Sequence, residues 1–294
     1  MADIQELKRV ASQVRRDIVR QTHYAASGHP GGSLGCADFL VALYFEIMKH
    51  DTSFHMQAKG EDVFFLSNGH ISPVFYSVLA HSGYFPKDEL ATFRNINARL
   101  QGHPTTHEGL PGVRVASGSL GQGISVAAGM ALSKKMSGDD RTVFVLTGDG
   151  ELQEGQNWEA IMFAAHHKID NLIVTVDHNG QQIDGSTEDV MSLGDLDAKW
   201  AAFGWDVMVL DDGNDMQKVV DTLTEAVSKT GNGKPICILM QTEMGSGVDF
   251  MTGTHKWHGK APNEEQTTDA LSQLEETLGD FTYPYEGEPY EGSH

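Results

Sequence analysis

The sequence predicts an α/β fold, a doubly wound, mostly parallel sheet with helices on both faces. Three observations predict it. Short apolar runs rich in Val, Ile, Leu and Phe alternate with segments of helical spacing, the order that builds a parallel sheet. Two of these runs end in loops with polar residues able to share a ligand: Gly148-Asp149-Gly150 follows residues 142–147, and Asp177-His178-Asn179-Gly180 follows residues 172–176. No break in composition divides the 294 residues, a length at which one large α/β domain buries a substantial core.

In chain order, residues 7–25 show helical spacing at Leu7, Val10, Ala11, Val14 and Ile18. This helix is expected to stop before Ser27-Gly28-His29-Pro30-Gly31-Gly32, which reads as a loop. Residues 36–48 read as a second, mostly apolar helix. Residues 63–66 are a short buried strand leading into Ser67-Asn68-Gly69-His70, and helical spacing resumes over 73–80. Glycines 118, 121 and 123 precede an Ala- and Met-rich helix over 124–136. Their order, Gly-x-x-Gly-x-Gly, is not the dinucleotide fingerprint, and no ribose-binding acid has a clear place, so a Rossmann dehydrogenase is rejected. The strand at 142–147, a crossover helix at 154–167 and the strand at 172–176 follow. A strand at 205–210, a helix at 216–228 and a strand at 235–240 complete the alternation. Residues 1–280 form the domain, while 281–294, acidic and proline-containing, read as an extended tail.

Composition narrows the partners. With 41 acidic against 21 basic residues and a formal charge of −20, non-specific binding to nucleic acid or to an anionic membrane is disfavoured. The two cysteines, Cys36 and Cys237, lie far apart in apolar stretches and read as core thiols. The N-terminus has no apolar signal core, and no apolar run reaches about 18 residues. The expected location is the cytoplasm.

Asp149 and Asn179 both fall at the carboxyl ends of expected parallel strands, where open α/β sheets bind ligands. One carboxylate and one amide oxygen suit a hard divalent cation such as Mg²⁺, which prefers octahedral oxygen ligands and completes its shell with phosphate oxygens. Gly148 and Gly150 let the backbone approach a diphosphate, and the next helix offers unpaired N–H groups at its N-terminus. A Gly-Asp-Gly turn alone is commonplace; the strand, helix, strand context and the second ligand give it meaning.

Of the fourteen histidines, His29, His70, His103 and His258 each stand beside glycine in a short irregular segment. His50, His55, His81 and His294 lack such a setting, and His166-His167 lies on the crossover helix. An imidazole offers one donor and one acceptor and titrates near neutrality, which suits sugar hydroxyls. The spacings of His255 with His258 and of His103 with His107 raise zinc as a rival, but neither pair comes with a full ligand set.

The longer strings around these residues are specific: Ala26-Ser27-Gly28-His29-Pro30-Gly31-Gly32, Leu66-Ser67-Asn68-Gly69-His70, Gln101-Gly102-His103-Pro104, Ser117-Gly118-Ser119-Leu120-Gly121-Gln122-Gly123-Ile124-Ser125, residues 148–155, Gln182-Ile183-Asp184-Gly185 and Lys256-Trp257-His258-Gly259. In this order they resemble the diphosphate-binding domain of the thiamine-diphosphate enzymes, and within them the transketolases, over most of the chain. His178 departs from the Asn or Asp usual before the second metal ligand.

The resemblance implies thiamine diphosphate with Mg²⁺, or another divalent cation such as Ca²⁺ or Mn²⁺. The metal would be held by Asp149, Asn179 and the backbone carbonyl of Gln181. It implies cofactor contacts from Gly118, Leu120, Gly148, Gly150, Ile183 and His258, and it places Glu154 at a domain interface linking two active sites. It implies that His29, His70, His103 and His258 contact the hydroxyls and developing oxyanion of a ketose donor, from which a two-carbon ketol unit passes to an aldose, as in the pentose phosphate pathway and related carbohydrate metabolism.

The chain is too short for the whole enzyme of this family. The pyrimidine-binding domain and the glutamate that activates the cofactor are expected on a separate C-terminal subunit, with two copies of each subunit in the assembly. A sulfosugar or branched-sugar transketolase, dihydroxyacetone synthase and a non-catalytic cofactor-binding module are the rival readings. Deoxyxylulose-phosphate synthase is disfavoured by the Gln101-Gly102-His103-Pro104 string and by the chain's brevity.

Overall fold

A computed structural model describes residues 3–283. The Asp3 carboxylate accepts from the backbone N–H groups of Gln5 and Glu6 and so caps α1 (Ile4–Tyr24). Then come α2 (Pro30–Gly35), α3 (Ala37–Ala42), β1 (Val63–Leu66), α4 (Ser72–His81), α5 (Gly123–Met136), β2 (Val143–Gly148), α6 (Gly155–His166) and β3 (Leu172–His178). A two-stranded antiparallel ribbon, β4 (Gln181–Gln182) with β5 (Gly185–Ser186), leads to α7 (Thr187–Met191) and α8 (Leu196–Ala202). The chain continues through β6 (Asp206–Leu210), α9 (Met216–Ser228), β7 (Ile236–Gln241) and α10 (Glu264–Gln273).

Five strands form one sheet in the order β1-β2-β3-β7-β6, and every pairing is parallel. Successive side chains of a strand point to opposite faces, and here each face meets its own core. Phe64, Leu66, Phe144, Leu146, Ile173, Ile236 and Ile238 pack into one cluster with α1, α3, α4 and α9. Val63, Phe65, Val143, Val145, Val174, Cys237 and Leu239 pack into another with α5, α6 and α8. A sheet covered on both faces needs apolar residues at consecutive positions, which is why the strands read as continuous apolar runs.

The sheet agrees with the sequence expectation, and two local readings are corrected. His29-Pro30-Gly31-Gly32 does not remain a loop: Pro30 begins α2, where its missing N–H costs nothing and its φ already suits a helix. Gly31 and Gly32 are there because of close approach. A Cβ on Gly31 would lie 2.7 Å from Met244 Cγ and 2.8 Å from the Trp257 carbonyl oxygen, and one on Gly32 would lie 2.9 Å from Ile71. The helix expected over 36–48 is α3 continued by a π-helical turn, Leu43–Ile47, closed by Met48 N–H donating to the Leu43 carbonyl at 2.8 Å.

The C-terminal segment runs back along α1. Arg16 makes two hydrogen bonds with the Asp280 carboxylate, at 2.9 and 2.8 Å, and donates to the carbonyls of Leu271 and Leu274. Phe281 is buried and Tyr283 stacks on Tyr24 at 4.5 Å between ring centroids. Packing therefore continues past the boundary expected between 280 and 281; the rest of the expected tail, 284–294, lies outside the described residues.

Candidate active site

β2 and β3 are hydrogen-bonded neighbours, with Gly148 opposite Asp177, so the loops that leave their carboxyl ends meet. Asp149 is 1% exposed. Its Oδ1 accepts from Gly150 N–H and its Oδ2 from Gly180 N–H, each at 2.7 Å. Burial, and next the nearby Asp177 carboxylate, push its pKa up to about 7. Asp177 is itself buried, and burial raises its pKa against the hydrogen bonds from Thr242, Cys36 and Asn179. Asn179 donates to Asp177 through Nδ2 at 2.8 Å, which turns Oδ1 to the other side, where it accepts from Gln181 N–H at 2.9 Å. Two buried carboxylates and an oriented amide oxygen, with no lysine or arginine among the causes that shift either carboxylate among the described residues, favour a cation.

The four glycine-flanked histidines converge. From His29, the ring centroids of His70, His103 and His258 lie at 5.1, 6.1 and 5.6 Å, and His70 lies 4.9 Å from His258. Each comes from a different element. His29 precedes α2, and its carbonyl accepts from Ser33 Oγ at 2.7 Å. His70 sits in the turn between β1 and α4. His103 is set on α4 by Ser72 Oγ donating to the Gly102 carbonyl at 2.7 Å and by Tyr76 OH donating to the Gln101 carbonyl at 2.8 Å. His258 follows Trp257, whose buried indole donates to the Phe250 carbonyl at 2.9 Å.

Burial, with His258, Arg94 and His103 next, pushes the His29 pKa down to about 4. Burial also holds His70 well below the ordinary value and lowers His103 and His258. At neutral pH these rings are therefore neutral, each with one donor and one acceptor.

The histidines and the cation loops form one site. A Cβ on Gly118, which has φ +119°, would lie 2.6 Å from the His103 ring, and one on Gly259 would lie 3.3 Å from His29 Nε2 and 4.0 Å from Ile183 Cδ1. Ile183, 60% exposed, is therefore on the β4–β5 ribbon beside the imidazoles. Leu120 is held by Gln156 Nε2 donating to its carbonyl at 3.1 Å. His29 Nδ1, His258 Nδ1, Asn68 Oδ1 and Ser117 Oγ are buried with no hydrogen-bond partner among the described residues, whereas buried polar atoms are nearly always paired. Such atoms, with the close glycine backbone and the cation-seeking carboxylates, fit a polar, phosphate-bearing group.

Among the described residues, no three His, Cys, Asp or Glu side chains are grouped to hold a metal ion. A cation at Asp149 thus needs carbonyl and ligand oxygens as well. Glu154 is exposed at the N-terminus of α6 and lies against the glycine-rich loop, since a Cβ on Gly121 would be 2.9 Å from Glu154 Cβ. His50 and His81 are structural: His50 bonds Tyr84 OH and the Tyr44 carbonyl, and His81 bonds the buried Asp17 carboxylate.

Sequence reasoning passed over two residues. Asp177, given no role of its own in the loop expected after residues 172–176, lies within β3 and orients Asn179. Glu151, within the 148–155 string but given no role from the sequence, is 2% exposed and accepts hydrogen bonds from three separate segments. A carboxylate two residues after a buried aspartate, in a glycine-rich loop, was the available signal.

Comparison with known proteins accords with this geometry. Residues 7–284 match the family described as transketolase, thiamine diphosphate binding domain. The chain is 40% identical over 272 residues to one of the subunits of the apulose-4-phosphate transketolase of Actinobacillus succinogenes, covering 92% of this chain and 96% of that one. It is 38% identical over 271 residues to the 6-deoxy-6-sulfo-D-fructose transketolase subunit SqwG of a Clostridium species, again covering 92% and 96%. The crystal structure of the Campylobacter jejuni transketolase superposes with a TM-score of 0.87 at 32% identity, over 96% of this chain but 45% of that one. The chain thus spans a little under half of the solved transketolase.

Proposed function

The chain belongs to the transketolase family, as its thiamine-diphosphate-binding domain, and from that premise we propose that it is the N-terminal subunit of a split transketolase. In this reading it passes a two-carbon ketol unit from a ketose to an aldose only when joined to a separate C-terminal subunit. The observation that supports this most is the convergence of four neutral imidazoles beside the loops of Asp149 and Asn179. Two relatives that match nearly end to end are named as subunits of transketolases.

Thiamine diphosphate, when bound, supplies the nucleophilic carbon and the electron sink that this chemistry needs. The chain's own residues do the rest. Asp149, the Asn179 amide oxygen and the Gln181 carbonyl would hold Mg²⁺, or Ca²⁺ or Mn²⁺ in its place, against the diphosphate. Backbone at Gly118, Leu120, Gly148 and Gly150 would line the diphosphate, the Ile183 side chain would flank the thiazolium, and His258 would reach both diphosphate and sugar. His29, His70 and His103 would orient donor hydroxyls, and a neutral ring nitrogen would take the hydroxyl proton released as the carbon–carbon bond parts. Glu154, exposed at the start of α6, would lie where two halves of an assembly with two copies of each subunit meet. The relatives named for a sugar phosphate and a sulfosugar point to a donor or acceptor with a terminal anionic group, bound by basic residues of the partner.

Mixing the chain with an equimolar C-terminal subunit, thiamine diphosphate and Mg²⁺ is expected to give ketol transfer across a panel of ketose phosphates and sulfonates, with a rise in mass by light scattering. Robust turnover by the chain alone, free of any partner, would refute the split arrangement. A folded pair without turnover on the whole panel would favour a non-catalytic cofactor-binding module.

A further inference from the structure

We infer that Glu151 is a positioning residue that holds three segments of the site, two lining the diphosphate and one carrying His70, in register, an inference that rests on the cofactor site described above. Its Oε1 accepts from Ser67 Oγ at 2.5 Å and from Gly121 N–H at 2.8 Å. Its Oε2 accepts from Thr147 Oγ1 at 2.8 Å and from Gly148 N–H at 3.2 Å. One carboxylate thereby ties the segment that carries His70, the segment that carries Gly118 and Leu120, and the segment that carries Gly148, Asp149 and Gly150. Ser67 extends the tie, since its Oγ also accepts from Gly123 N–H, the first residue of α5, at 3.0 Å. The fit is close: a Cβ on Gly123 would lie 2.2 Å from that Oγ.

The chemistry calls for a carboxylate in particular. Four donors converge on two oxygens, and an ionised carboxylate is the side chain that presents acceptors only. Glutamine has the same shape, but it would point an NH₂ group at two donors and leave buried N–H or O–H groups unpaired. Among the described residues no ion pair neutralises Glu151, and burial raises its pKa above the ordinary value against the four hydrogen bonds, which lower it. An unpaired buried carboxylate beneath a diphosphate site is an electrostatic burden unless its role is to fix the surrounding donors.

The test takes the assembly of this chain with its C-terminal partner in four forms: the parent, Glu151→Gln, Ser67→Ala and the double variant. Measurements are the thiamine diphosphate dissociation constant by calorimetry, its apparent KM, and kcat at saturating cofactor, with circular dichroism to establish folding. Glu151→Gln is expected to raise both the dissociation constant and the cofactor KM at least tenfold, while kcat at saturation falls less than threefold. Ser67→Ala should shift affinity in the same direction by threefold or more, and the double variant should be no more than twofold worse than Glu151→Gln.

A folded Glu151→Gln protein that binds cofactor within threefold of the parent would overturn the inference, as would a loss of kcat with no change in KM. If Glu151→Gln fails to fold, unchanged affinity in folded Ser67→Ala overturns it equally. A parent that binds no thiamine diphosphate would instead refute the underlying cofactor site.

Discussion

His29 has three other imidazoles within 6.1 Å between ring centroids, so placing a proton on one ring raises the cost of placing a second nearby. Burial lowers the pKa of all four; neighbouring site imidazoles add to it at His29 and His70, Arg94 at His103 and His255 at His258, which leaves them hydrogen-bonding groups at neutral pH. His103 is the most exposed of the four, which in the proposed function makes it the ring most open to an incoming sugar. His103→Ala is therefore expected to leave cofactor affinity near the parent value and to lower kcat/KM for the ketose about 100-fold, about 2.7 kcal/mol of transition-state stabilisation. Steady-state kinetics of the assembled enzyme, with cofactor affinity by calorimetry, checks both halves; a kcat/KM within twofold of the parent would remove His103 from the site. These histidines were legible because each stands beside glycine in an irregular segment. Glu151 and Asp177 were not, since their importance lies in which distant N–H and O–H groups fold around them, and spacing along the chain does not encode that.

The strands were the most legible elements, because a sheet buried on both faces demands apolar residues at every position and Val143 to Leu146 or Leu172 to Val174 are fully apolar. The α2 helix was not legible: Pro30-Gly31-Gly32 carries loop signals, and only tertiary contact with Met244 and Trp257 shows why glycine is needed in a helix. That contact makes α2 a spacer between His29 at its start and the Trp257–His258 turn, with Gly245 N–H donating to the Gly31 carbonyl at 2.9 Å. Gly31→Ala should force the two apart and destabilise the chain by about 1–3 kcal/mol, the usual cost of overpacking. Urea unfolding reads this; an undiminished midpoint would mean that α2 is not wedged as described.

Over the whole molecule, the parallel sheet separates two apolar cores and gathers the ligand-bearing loops at one edge, the carboxyl ends of β1, β2 and β3. That arrangement followed from the alternation of runs in the sequence, whereas the clamping of residues 274–283 along α1 depends on side chains such as Arg16 and Gln13 that read as ordinary helix-surface groups. A chain of net charge −20 repels a free diphosphate, so in the proposed function a cation at Asp149 would screen two sets of like charge. The role of Asp149 is tested most directly by a calorimetric titration of thiamine diphosphate into the chain assembled with its C-terminal partner, run with Mg²⁺ and again with the cation chelated, on the parent and on Asp149→Ala. Saturable binding is expected only for the parent with Mg²⁺; equal affinity after chelation, or in folded Asp149→Ala, would contradict the placement of cation and cofactor at Asp149.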